Sequence, residues 1–239
     1  MMRDGPLPPQ VVGGMNIKAP ILTTIALALV AAAPAAAAGV NTSLPTPGDA
    51  RYAVAAGKVE HSVTVSEVTG SRAVPSRTRH ELWMSRNRAR SVSTDMKTGK
   101  VTTEIVITRN ETRMFSAETG QVTIRRTRRA SIPWNSSLFE AAVQRAYVEQ
   151  GITKVVGETT VRGRRAFVVE SVPGAWISDQ ADSTTIAIVD AETYELYERT
   201  STLPNGEFTQ KETTQTFYGA PARFTMSTHT DAKVRYITH

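Results

Sequence analysis

The sequence predicts an α+β fold in which antiparallel strands form a sheet and one amphipathic helix covers its apolar face. Residues 154–197 contain two hairpin patterns in series, each with alternating apolar and polar residues around a turn signal. Residues 61–126 contain further strand patterns joined by short turns, and residues 137–151 have the apolar spacing of a helix. Connections this short favour antiparallel pairing of neighbouring strands.

The amino-terminal residues have the composition of a secretory signal peptide. Lys18 precedes an apolar stretch over residues 19–30, and small residues at 36–38 follow. We therefore expect cleavage near Ala38 and export to the periplasm, the cell envelope or the medium, with Met15 as an alternative start. An uncleaved amino-terminal membrane anchor is the alternative reading, since a spanning helix needs about 20 apolar residues.

The remaining chain divides into a mobile spacer, a folded domain and a tail. Residues 39–49 are rich in Thr, Ser, Pro and Gly, which is typical of a spacer. We expect the folded domain over residues 50–225, followed by a C-terminal tail over residues 226–239 in which a last strand is one alternative. The chain has no cysteine, which excludes disulfides, thiolate nucleophiles, Cys-ligated zinc and an acylated cysteine.

The charge of the exported part is mildly basic. Residues 1–38 contain two of the 28 basic and one of the 22 acidic residues, which leaves a formal charge of +5. Such a protein approaches anionic lipid head groups or cell-wall polymers, whereas export argues against a nucleic-acid partner. The densest basic run, residues 125–129, fits either a phosphate or lipid contact or a solvated strand end.

Six strand patterns make up the first part of the sheet. They are Ser62–Thr69, Arg77–Met84, Arg88–Thr94, Val101–Thr108, Thr112–Ala117 and Gln121–Arg126. In the fourth, Ile105 and Ile107 lie on the face expected to be buried, and Glu104 and Val106 on the face expected to be wet. Residues 207–218 are polar on both faces over their middle, so we expect that strand near a rim or an edge of the sheet.

The predicted helix begins with a capping box and carries an apolar stripe. Ser137 and Glu140 have the capping-box spacing, and Gly151 is placed to end the helix. Its apolar residues are Leu138, Phe139, Ala142, Val143, Ala146 and Tyr147. We therefore expect this helix to pack on the sheet. Trp134 and Trp176 lie in connections, where core filling or loop anchoring is the main alternative to ligand contact.

No catalytic or metal-binding pattern stands out. The chain lacks nucleophile elbows, zinc motifs, phosphate-binding glycine loops and aspartate-rich calcium loops. His80 and Glu81 are adjacent on a strand and so point to opposite faces. Asp179 and Asp182 make a poor calcium site without further oxygen ligands. We expect no enzyme activity, no cofactor and no metal.

The central hairpins resemble those of the periplasmic lipoprotein-carrier-like superfamily. This superfamily includes the outer-membrane lipoprotein carrier, mycobacterial lipid-carrying lipoproteins and the amino-terminal domain of a periplasmic regulator that binds an anti-sigma factor. The resemblance lies in Gly151, Val155, Val156, Gly157, Glu158, Val161, the run 163–169 and the run 189–194, and as architecture it covers about residues 50–220. It implies a strongly curved antiparallel half-barrel wrapped around a few helices, with a hydrophobic cavity for acyl chains. This chain departs from many lipid-carrying relatives in lacking an acylated cysteine.

Resemblance and residue pattern together predict an exported, non-enzymatic binding protein. Its partner would be a lipid or an acylated protein, held by dispersion contacts in a sheet–helix cavity with arginines at the mouth. The candidate lining residues are Trp83, Ile105, Ile107, Trp134, Leu138, Phe139, Val143, Phe167 and Ile186. One alternative is a protein-interaction module on the same scaffold that senses or restrains a membrane-anchored regulator of the anti-sigma-factor type. A membrane surface is an alternative partner, and a hydrolase with an unrecognised site is a third class.

Overall fold

The computed structural model describes residues 44–127, 132, 134–175 and 183–237. The predicted signal peptide and its cleavage site, Trp176, Asp179, Asp182 and the second half of the basic run lie outside these residues. Within the described part of the chain, no helix is long and apolar enough to cross a membrane.

Twelve strands form one open sheet. In chain order they are β1 (Glu60–Thr69), β2 (Ser76–Met84), β3 (Ala89–Asp95), β4 (Val101–Ile107), β5 (Glu111–Ser116), β6 (Gln121–Arg126), β7 (Thr153–Val161), β8 (Arg164–Ser171), β9 (Thr184–Asp190), β10 (Leu196–Thr202), β11 (Thr209–Tyr218) and β12 (Lys233–Ile237). Across the sheet the order is β12-β6-β5-β4-β3-β2-β1-β11-β10-β9-β8-β7. Every neighbouring pair is antiparallel except β12 and β6, which are parallel.

The prediction of an antiparallel sheet is confirmed, and the prediction of a few helices is confirmed only in part. The described residues contain one α-helix, α1 (Ser137–Glu149), and two short 3₁₀ turns at Ala50–Tyr52 and Pro204–Gly206. The sheet is open, with β12 and β7 at its two ends.

Both predicted hairpins are present. Strands β7 and β8 are joined by Arg162 and Gly163, which have φ of 53° and 77°. Positive φ at both central residues gives the turn a twist that matches the flanking strands. Strands β9 and β10 form the second hairpin, where the Asp190 carboxylate accepts the backbone N–H groups of Glu192 and Thr193.

Strand β11 lies in the middle of the sheet, so its predicted position near a rim or an edge is wrong. It pairs with β1 on one side and β10 on the other. Its polar side chains have polar partners on both neighbours: Thr214 meets Thr64 at 3.1 Å, and Lys211 meets Glu198 at 2.9 Å. A polar strand is stable at the centre of a sheet when side chains of the neighbouring strands pair with its polar groups. The sequence pattern of one strand does not reveal such partners.

Helix α1 begins one residue earlier than predicted. The N-cap is Ser136, whose hydroxyl accepts the backbone N–H of Phe139 at 3.2 Å. Gly151, with φ of 71°, follows the helix as predicted, and its N–H bonds to the Val148 carbonyl. Together with the bond from Ile152 N–H to the Tyr147 carbonyl, this is a Schellman C-cap.

We expect Ser136→Ala to lower the free energy of unfolding by about 1 kcal/mol, because one helix N–H loses its acceptor. The Ser136 hydroxyl also donates to the Tyr52 carbonyl, which ties the amino-terminal segment to the helix. Urea unfolding followed by circular dichroism measures the change. Ser136→Thr keeps the hydroxyl and should retain most of the stability; equal losses in the two variants would contradict the capping role.

Candidate functional site

The two faces of the sheet have different covers. Side chains of directly paired residues on neighbouring strands lie on the same face, so the register assigns each residue to a face. Helix α1 packs through Val148 against Val169, Ala187 and Val189, and this side is called the helix-side face. Residues 220–232, called the C-terminal strap, contact the opposite side, which is called the strap face.

The middle of the helix-side face is polar, where the sequence predicts a hydrophobic cavity. Its cross-strand hydrogen bonds join Ser62 to Thr216 (3.4 Å), Thr64 to Thr214 (3.1 Å), His80 to Ser93 (3.1 Å) and Arg199 Nε to Glu212 (3.0 Å). These groups satisfy one another across the strands. An acyl chain laid there would remove water from polar groups without replacing its hydrogen bonds.

Two carboxyl groups near the start of α1 have raised pKa values. Burial raises the pKa of Glu60, although the Ser137 backbone N–H and hydroxyl donate to this carboxyl at 2.9 and 3.0 Å. Burial likewise raises the pKa of Glu140, against the attraction of Arg199. The hydrogen bonds from Ser137 to Glu60 join the start of the helix to β1.

An apolar strip lies on the helix-side face next to this polar middle. The register places Leu82, Ser91, Ile105 and Met114 in one row across β2 to β5. Leu82 and Ile105 are half-buried and Met114 is 41% exposed. The neighbouring row of Met84, Ala89 and Ile107 is buried and forms the floor beside it. Helix α1 makes its main packing contacts with β7 and β10, in the other half of the sheet.

The predicted lining residues fall in three places. Ile105, Ile107 and Phe167 are on the helix-side face, but only Ile105 belongs to the apolar strip; Ile107 lies in the buried row beside it, and Phe167 packs near Tyr194. Trp83 and Ile186 are on the strap face. On α1, Phe139 is buried, Val143 is half-buried and Leu138 is 47% exposed; Trp134 is half-buried just before the helix.

Trp83 is buried in an aromatic and cationic stack beneath the C-terminal strap. The His61 ring stacks on it at 4.4 Å, and the Arg90 guanidinium lies 5.0 Å from its ring centre. Arg223 of the strap lies over the same ring at 6.0 Å. Its surroundings are those of a core residue and not of a residue that lines a ligand cavity.

The strap face of β4 is buried, so the prediction that Glu104 and Val106 face water is wrong. Glu104 is fully buried and Val106 is 4% exposed. The Glu104 carboxylate accepts from Arg90 Nε at 2.7 Å, from the Ser227 N–H at 2.9 Å and from His229 Nε2 at 2.9 Å. Burial alone would raise the pKa of Glu104, but these hydrogen bonds outweigh it and hold the pKa below its usual value.

A shallow depression of about 460 Å³ lies on the strap face where the strap leaves β11. It is lined by His61, Val63, Arg79, Gln215, Phe217, Ala220 and Pro221. Arg79 is already paired with Glu81 at 3.1 Å, which leaves the depression without a free charged group. Within the ranges that the structure covers, no three His, Asp or Glu side chains are close enough to hold a metal ion.

Three cations share the helix-side face at the β6–β12 edge. Parallel pairing places Lys233 beside Gln121, Arg235 beside Thr123 and Ile237 beside Arg125. The row of Leu82, Ile105 and Met114 continues through Thr123 to Arg235. Sequence reasoning singled out Arg125 but missed Lys233, Arg235 and Met114. The alternation in the last strand, KVRYI, was the signal available for the first two.

No protein-family model matches the chain, and no curated protein matches it. Its structure is similar to that of the lipoprotein LppX from Mycobacterium tuberculosis, with 10% identity, a TM-score of 0.39 and coverage of 69% of this chain and 89% of that one. It is also similar to the MucA/MucB complex of Pseudomonas aeruginosa, with 19% identity, a TM-score of 0.39 and coverage of 70% and 54%. A third similar structure is the LolA-superfamily protein NE2245 from Nitrosomonas europaea, with 8% identity, a TM-score of 0.28 and coverage of 74% and 93%.

Proposed function

We propose that this protein is an exported, non-enzymatic binding protein that holds an acyl chain along the apolar strip of the helix-side face. The observation that supports the proposal is the row of Leu82, Ile105 and Met114, whose side chains are in register on one face and are not fully buried. Isolated exposed apolar residues need no explanation, but three apolar side chains in one row, interrupted only by buried Ser91, favour an apolar ligand.

The strip has suitable dimensions for an extended hydrocarbon chain. Neighbouring strands lie about 4.8 Å apart, so a row from β2 to β5 spans about 14 Å. Each methylene removed from water contributes about 0.8 kcal/mol. A chain lying across the strands would contact all three side chains, with the buried row of Met84, Ala89 and Ile107 beside it.

We expect Met114→Ser to weaken binding of a fluorescent fatty acid about fivefold, because it removes apolar contact area worth about 1 kcal/mol. The protein is purified after export from a bacterial host, stripped of lipid and titrated with the probe. The matched control is Met96→Ser, since Met96 is 38% exposed in the turn after β3 and is outside the strip. Equal weakening in both variants, or no uptake by the unaltered protein, would contradict the proposal.

An interaction module for a membrane-anchored regulator is the second candidate. It is favoured by β7, which ends the sheet and exposes Val155 and Val156 at 43% and 50%. An open edge of this kind can accept a peptide strand through backbone hydrogen bonds. The fatty-acid titration separates the two candidates, because a peptide bound at β7 would not depend on Met114.

A further inference from the structure

We propose that the acyl-chain ligand is an anionic amphiphile whose carboxylate or phosphate head is held by Arg235, Arg125 and Lys233 at the β6–β12 edge. This inference rests on the proposed function and adds the chemical class of the ligand and its direction on the sheet. Its chain would run from β6 towards β2, with the head group at the edge.

The charge of the β6–β12 edge favours an anionic head group. On the helix-side face, β5 contributes Thr112, Met114 and Ser116, β6 contributes Gln121, Thr123 and Arg125, and β12 contributes Lys233, Arg235 and Ile237. This surface has three cations and no acidic residue. The only acidic residue of the three strands is Glu111, which pairs with Arg126 and so lies on the strap face.

The three cations of this edge have no ion-pair partner among the described residues, which favours an anionic ligand. Across the described ranges, no ion pair involves Arg125, Lys233 or Arg235, and all three are exposed. Arginines elsewhere on the sheet are paired: Arg113 with Glu111 at 2.5 Å and Arg165 with Glu158 at 2.9 Å are examples. Gathering like charges without a counter-ion is unfavourable in the absence of a ligand, and an anionic head group relieves the repulsion.

The cations of the β6–β12 edge lie in line with the apolar strip. Met114 pairs with Thr123, and Thr123 pairs with Arg235, so the apolar row and the cation are two strand spacings apart, about 10 Å. The Thr123 hydroxyl is between them. An amphiphile with an extended chain therefore meets apolar side chains along its length and a guanidinium at its head, where bidentate hydrogen bonds to carboxylate or phosphate are available.

Four probes with the same chain and different heads test this inference. Dodecanoate, dodecyl phosphate, dodecanol and dodecyltrimethylammonium are titrated calorimetrically into the purified protein. We expect the two anions to bind at least tenfold more tightly than the alcohol and the ammonium compound, and we expect their advantage to shrink in 0.5 M salt, roughly a 4 Å screening length. Inorganic phosphate, titrated alone, should bind far more weakly than dodecyl phosphate.

Arg235→Gln should weaken dodecanoate binding about fivefold and leave dodecanol binding unchanged. Arg113→Gln is the matched control, because Arg113 is an exposed arginine of β5, two strands from β12, and lies on the strap face. Unchanged thermal melting shows that each variant is folded. The proposed head-group site is wrong if dodecanol binds as tightly as dodecanoate, or if Arg235→Gln and Arg113→Gln lose the same affinity. The proposal of an acyl-chain site on the apolar strip would still stand. If inorganic phosphate alone binds as well as dodecyl phosphate, the edge binds anions but the strip does not bind a chain. If none of the four probes binds, both proposals fail.

Discussion

We expect Glu104→Ala to lower the free energy of unfolding by about 3 kcal/mol or more. Removing the carboxylate leaves Arg90 and His229, whose side chains are each 13% exposed, without their shared acceptor. Breaking a buried charge pair from one side costs about 3–5 kcal/mol, because the remaining charge stays buried and unpaired. Urea unfolding at neutral pH measures the loss.

The same substitution should loosen the C-terminal strap. Ser227 and His229 are held to the sheet by Glu104, and the His229 ring also stacks on Phe115 at 3.7 Å. We therefore expect faster tryptic cleavage after Arg223 in the variant. Glu118→Ala removes an exposed carboxylate from the β5–β6 turn and should change stability by less than about 0.5 kcal/mol. If both variants lose the same stability and resist trypsin equally, the role of Glu104 as an anchor is wrong.

The local elements of this fold were predictable, because their signals are contained within a few residues. The Arg162-Gly163 turn sets the register of its hairpin, and Gly151 ends the helix where the sequence places it. The cover of the strap face was not predictable, since Ser227 and Glu104 are 123 positions apart. The central position of β11 was not predictable either, because the partners of its polar side chains are distant in sequence. The hydroxyls of Thr64 and Thr214, which hydrogen-bond to each other, are 150 positions apart.

The candidate site, too, was predictable only where a local sequence pattern determines it. Alternation in β4 placed Ile105 and Ile107 on one face, and the structure keeps them there. Trp83 and Ile186 were grouped with them by apolar character, but the pairing of their strands assigns them to the other face. The cations of β12 became neighbours of the apolar strip only through its parallel pairing with β6. A pairing of that kind depends on how the chain returns to the far edge, and no local pattern determines it.

We expect Asp190→Asn to lower the free energy of unfolding at neutral pH by about 2 kcal/mol. Asp190 is 1% exposed and accepts from the Thr193 N–H at 2.8 Å, the Tyr197 hydroxyl at 2.7 Å and Arg164 Nε at 2.7 Å. Burial alone would raise its pKa, but hydrogen bonds from the Thr193 and Glu192 N–H groups and the Tyr197 hydroxyl outweigh it and lower the pKa of Asp190 to about 2, from 3.8. A difference of this size corresponds to about 2.5 kcal/mol of stability in the charged form.

The sign of the pH dependence follows from the lowered pKa. The stabilisation is fully present above about pH 4 and is lost as the pH falls towards 2, because the unfolded chain takes up the proton first. Asp190→Asn should therefore unfold with a smaller pH dependence between pH 4 and 2 than the unaltered protein. Asp231→Asn, at an exposed position of the strap, should keep both the stability and its pH dependence. Parallel acid-unfolding curves for the unaltered protein and Asp190→Asn would show that other carboxylates, and not the β9–β10 turn, govern acid stability.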